Sequence, residues 1–257
     1  MKSGLILLAL LAALVSAIFA LPRTQSAQGL LISDAIARPL DTGQAAAFFT
    51  VENRGEPDRL ISITSPVARA SLYTPVSPKG VPVPQGTASL ALDAAHIKLD
   101  GLAHTVEHGS LLPVTLTFAN AGVVTTKLRL SDPTKLGAAE EVGLFGIGDI
   151  CVVGDGEPAP SISLSVLETA KGYEVRVNTD DFSFSEALTG LYHVPGMGHG
   201  HIYVGGMKLG RIYDPVAHVG KLPKGTHEVR VTLNTNDHRA YVVNDVPVTA
   251  SAMIVVD

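Results

Sequence analysis

A chain of 257 residues has room for one large domain or two of ordinary size, and this one carries 25 Gly and 16 Pro with 17% charged and only 5% aromatic residues. Small apolar residues mixed with turn formers predict an all-β protein of many short strands. A formal net charge of −5 offers no basic surface for nucleic acid, and the single cysteine, Cys151, excludes an internal disulfide and a Cys-rich zinc or iron–sulfur site, so His and Met are the metal donors left.

Lys2 is followed by an uncharged stretch over residues 3–21 with a Leu/Ala-rich centre and the small residues Ser16, Ala17 and Ala20 near its end. A basic start, a short apolar centre and a small-residue exit predict a secretory signal peptide over residues 1–20. The alternative is an uncleaved anchor, because the stretch is just long enough to span a bilayer. In either case the rest of the chain is expected to be exported to the periplasm, with no further membrane-spanning segment. No cysteine follows the leader for lipid attachment.

Residues 29–131 read as strands separated by turn clusters. The apolar run at 45–51 ends in the turn signal Glu52-Asn53-Arg54-Gly55-Glu56-Pro57. Residues 59–63, 88–92 and 113–118 alternate as half-buried strands do, and Asn120-Ala121-Gly122 is placed to turn a hairpin into 123–130. The pattern lapses over 132–160, a linker with a short helical turn expected at 138–143 and the cluster Gly154-Asp155-Gly156-Glu157-Pro158. Strands resume over 161–257. Two β-sandwiches are therefore expected, the second immunoglobulin-like in outline. Cys151 reads as a small buried residue, since no His stands within thirty residues of it in sequence.

The segments Ala45-Ala46-Ala47-Phe48-Phe49-Thr50-Val51-Glu52-Asn53, Pro57-Asp58-Arg59-Leu60, Ser65-Pro66-Val67-Ala68 and Leu112-Pro113-Val114-Thr115-Leu116-Thr117-Phe118, in that order, resemble the PCu(A)C family of periplasmic copper(I) chaperones. The resemblance covers roughly residues 30–131. It implies a cupredoxin-like β-sandwich with a surface copper(I) site of two His and two Met. Here that site is depleted. Tyr73 stands where the first His is expected, the loop at 74–80 contains no Met, and His96-Ile97-Lys98 replaces the family's His-x-Met. Of the four implied ligands His96 survives, and a Lys ammonium repels a cation that it cannot ligate. His104 and His108 read as loop histidines.

Six of the nine histidines lie between residues 193 and 238. The densest segment is His193-Val194-Pro195-Gly196-Met197-Gly198-His199-Gly200-His201. His199 and His201 are two apart and share a face if extended, the smallest two-donor element a strand can offer. His218 and His238 fall in turns from which they can return to that face, and Met197 adds a thioether. His193 is placed either to ligate or to anchor its loop. His227 shares a face with Val229, Val231 and Leu233 and is expected in the core. His193-Val194-Pro195-Gly196, Gly198-His199-Gly200-His201-Ile202-Tyr203-Val204, Arg211-Ile212-Tyr213 and Leu233-Asn234-Thr235-Asn236-Asp237-His238 resemble an uncharacterised His-rich C-terminal β-domain of exported bacterial proteins.

The expected function is an exported copper-binding protein, a chaperone or a metal delivery or sequestration protein. Cu+ or Cu2+ would be held by His199, His201, His218, His238, Met197 and His193, with His96 as the remnant of the first site and a cuproprotein as recipient. The alternative is a structural or interaction module without metal, its histidines a hydrogen-bonded polar network. No nucleophile motif, phosphate-cradling loop or dinucleotide fingerprint supports an enzyme.

Overall fold

The computed structural model describes residues 29–41, 43–76, 80–103, 107–131 and 149–257. The expected leader, His104, most of the expected linker and its expected helical turn lie outside the described residues. All regular structure among those described is β, with no helix and so none long and apolar enough to cross a membrane.

The first half contains β1 (Leu30–Asp41), β2 (Gln44–Asn53), β3 (Asp58–Thr64), β4 (Arg69–Tyr73), β5 (Val81–Val83), β6 (Gly86–Ser89), β7 (His96–Asp100), β8 (Leu111–Phe118) and β9 (Gly122–Leu130). β2 is the central element, antiparallel to β1, β6 and β7. Its alanines let it be buried on both faces. Ala45, Ala47, Phe49 and Val51 enter the main core, while Ala46 and Phe48 pack with Leu92 on the other side. β8 alternates as its sequence predicts, sending Leu112, Val114, Leu116 and Phe118 inward. The β8–β9 hairpin turns at Gly122 (φ 75°), and the buried Asp58 carboxylate fixes the approach by accepting the backbone N–H groups of Asn120 (2.9 Å) and Ala121 (2.8 Å).

The second half contains β10 (Ile150–Val152), β11 (Ser161–Thr169), β12 (Gly172–Asp180), β13 (Ser183–Phe184), β14 (Met197–Val204), β15 (Met207–Ile212), β16 (Val216–Gly220), β17 (Gly225–Thr235), β18 (Ala240–Val243), β19 (Val246–Pro247) and β20 (Thr249–Val256). β11, β12 and β16 form a three-stranded antiparallel sheet. It faces the sheet built around β14, β15, β17 and β20. Between them Val175, Val177, Ala217 and Val219 meet Ile202, Val204, Val229, Val231 and Ile254, which is a sandwich core. β10, from the segment read as linker, pairs in parallel with β18.

The two halves are in direct contact. The ladder between them is one residue pair, Ser89 of β6 with Lys208 of β15. Ala95 N–H donates to Gly206 O (2.7 Å), Gln85 N–H to Lys221 O (2.9 Å), and Met207 is buried in the core of the first half. This contact explains β14, in which every residue from Gly198 to Val204 is buried. Ile202 and Val204 face the sandwich core, whereas Tyr203, on the opposite face, packs on Ala91 and Ala94 of the first half.

Candidate metal centre

On the face of β14 that carries Tyr203, alternation also places Met197, His199 and His201. Glycines at 198 and 200 occupy the opposite side, where close packing requires them. A Cβ on Gly198 would overlap the Asn234 carbonyl of β17, and one on Gly200 would stand 2.6 Å from Ile212 Cγ1. Sheet contact is thus tight behind the imidazoles.

His238 arrives from the β17–β18 turn. His238 N–H donates to Thr235 O (3.0 Å), Thr235 N–H to Arg239 O (2.9 Å), and the Thr235 hydroxyl and Arg239 guanidinium both bond the Asp237 carboxylate. These contacts hold His238 at φ 68°, a left-handed conformation in which His is enriched, and return its ring over the sheet.

The ring centroid of His199 is 4.9 Å from that of His201 and 4.6 Å from that of His238. All three residues are buried, and one ring nitrogen from each lies within 4.8 Å of the others. Among the described residues this is the one group of three His, Cys, Asp or Glu that close. His199 Nε2 and His201 Nε2 are 3.1 Å apart. Two metal–nitrogen bonds of about 2.05 Å would subtend about 100° across that gap, within reach of tetrahedral geometry.

Burial drives the His199 pKa from its ordinary 6.5 to about 3, with His238, Arg211 and Lys208 adding to the effect. Burial, with Lys208 next, likewise holds His201 well below its usual range. Both rings are therefore neutral at neutral pH, the form that ligates a metal. The Lys208 charge is met by Asp93, Nζ to Oδ2 at 3.0 Å. Tyr213, whose ring centroid is 6.0 Å from that of His199, also lines a cleft of about 520 Å³ with Ser89, Lys208, Gly210 and Arg211.

The other residues singled out from sequence lie elsewhere. His218 is exposed on β16, paired with Glu174 in the opposite sheet. His193 Nε2 is 3.7 Å from Cys151 Sγ, a contact across 42 residues that no sequence spacing signals. Burial pushes the Cys151 thiol up, against the smaller opposing effect of Arg239. His227 is buried as expected, with Nε2 2.6 Å from Pro223 O. His108 is exposed in a turn.

In the first half, His96 is buried with Nδ1 3.2 Å from Ala94 O, and burial lowers its pKa. Tyr73 pairs with it across β4 and β7, their ring centroids 4.7 Å apart, and Lys98 Nζ stands 4.5 Å above the Tyr73 ring. An aromatic ring and an ammonium thus occupy the surroundings of His96. The residues that sequence reasoning missed are Asp93, whose Oδ2 accepts the Tyr203 hydroxyl and stands 3.9 Å from His201 Nδ1, and Lys208, which is paired with Asp93. Tyr203 could have been found by its two-residue spacing from His201.

A family model described as "Putative lipoprotein LpqE-like" matches residues 30–130. No curated protein matches the chain. Among solved structures, a copper-bound PCuAC domain from PmoF2 is 24% identical with a TM-score of 0.37, covering 41% of this chain and 94% of its own. The solution structure of CuI-DR1885 from Deinococcus radiodurans is 22% identical with a TM-score of 0.32, covering 40% and 80%. The N-terminal periplasmic domain of ScsB from Proteus mirabilis is 10% identical with a TM-score of 0.28, covering 90% and 95%.

Proposed function

We propose that this chain is an exported copper-binding protein for metal delivery or sequestration, with its working site at His199, His201 and His238 in the second half. The observation that carries the reading is the convergence of three buried imidazoles, their donor atoms within 4.8 Å of one another. Copper is favoured over other divalent first-row ions because an imidazole site follows the Irving–Williams order, and Met197 on the same strand face offers the soft donor that Cu+ accepts. His193 and His218 fall outside this donor set. The leader-like segment supports export to the periplasm, and a recipient cuproprotein is the expected partner. Binding is favoured over catalysis because the carboxylate near the cluster, Asp93, is already bonded by Tyr203 and Lys208 and is not disposed as a general base.

A second reading has its own support. An Nε2-to-Nε2 separation of 3.1 Å also suits an N–H···N hydrogen bond, so the cluster can be a polar network within a docking scaffold. Titration of the purified chain without its leader by Cu+, Cu2+ and Zn2+ separates the two. The metal reading expects stoichiometric binding that is lost in the double variant His199→Ala/His201→Ala and kept in Tyr73→Ala. Equal binding by the parent and the double variant would leave the scaffold.

A further inference from the structure

We infer that Asp93, carried by the first half, orients His201 of the second through Tyr203 and thereby presents His201 Nε2 to the metal; this rests on the copper reading above. Asp93 lies in the turn between β6 and β7. Its Oδ2 accepts the Tyr203 hydroxyl at 2.7 Å and Lys208 Nζ at 3.0 Å. The hydroxyl has one proton, and the ionised carboxylate takes it. Toward His201 Nδ1, 3.4 Å away, the Tyr203 oxygen can therefore only accept. Nδ1 carries the ring hydrogen, and the lone pair of the neutral imidazole is left on Nε2. That is the atom 3.1 Å from His199 Nε2, inside the cluster.

Each member of this chain is itself held in place. Tyr203 is 4% exposed, packs on Ala91 and Ala94, and lies beneath the Arg230 guanidinium at 4.3 Å from its ring centroid. Lys208 is 5% exposed, and its Nζ is paired with Asp93 Oδ2 at 3.0 Å. A carboxylate acting through a second group on the far nitrogen of a ligating His fixes both tautomer and ring orientation. Because Asp93 belongs to the other half, the donor set is fully oriented only when the two halves are docked.

The test uses the full chain without its leader. In the metal-free protein, 15N NMR of the imidazoles is expected to give His201 as the Nδ1–H tautomer, and the Nε2–H tautomer would overturn the inference. With Cu2+ and Zn2+ as probes, Tyr203→Phe and Asp93→Asn are expected to weaken binding by about 10–100-fold and to change the Cu2+ EPR hyperfine pattern. Parent affinity and an unchanged spectrum in both variants would also overturn it. Tyr203→Phe retains the ring, its packing and the Arg230 contact, so it decides the matter if Asp93→Asn disturbs docking. If the parent binds no metal at all, the function proposed above fails, while the tautomer measurement still judges the role of Asp93.

Discussion

The depressed pKa of His199 has a measurable cost in acid. In the unfolded chain its imidazole takes up a proton near pH 6.5, whereas in the folded chain it stays neutral down to about pH 3. The unfolded state therefore binds more protons between these values, and stability falls as pH falls. The contribution is fully present above pH 6.5. Going from pH 7 to pH 5, the lag of one such group costs about 2 kcal/mol, because each pH unit in the window is worth about 1.4 kcal/mol. This figure depends on the unfolded pKa alone, so long as the folded value stays well below 5. His201, shifted in the same direction by burial, adds to the loss. The assay is urea denaturation of the metal-free chain at pH 7 and pH 5, for the parent and for His199→Gln. The parent is expected to lose about 2 kcal/mol more than the variant over that interval. Equal losses would mean that His199 is readily protonated in the folded chain, and the argument for a neutral, ligand-ready imidazole would fall.

Two further outcomes follow from packing. Gly198→Ala is expected to lower stability by about 2–3 kcal/mol and to weaken metal binding, because its Cβ would push β14 away from the Asn234 carbonyl on β17; thermal melting and copper titration read both effects. Unchanged melting would refute the tight contact behind the imidazoles. Cys151, buried and with its thiol pushed up, is expected to react with a disulfide reagent at pH 8 far more slowly in the native chain than in urea, and equal rates would refute its burial.

Periodicity alone identified much of the architecture. β8 alternates as residues 113–118 led one to expect, Gly122 turns the expected hairpin, and His227 sits on the apolar face of β17. Local spacing likewise paired His199 with His201, since residues two apart on a strand must share a face. What spacing could not supply was the third imidazole. His218 and His238 both follow β14 within forty residues and both looked able to return. His218 lies on a strand of the opposite sheet, whereas the left-handed turn at residue 238 directs its ring over β14.

The all-β class and the strand that carries the histidine pair were legible in the sequence, because each depends on residue type and on a period of two. Only the tertiary structure decided which histidine completes the cluster, that Cys151 meets His193, and that Asp93 of one half reaches His201 of the other. Those contacts join positions far apart in the chain, and their distances are set by sheet pairing and by docking of the two halves, neither of which leaves a mark in local residue order.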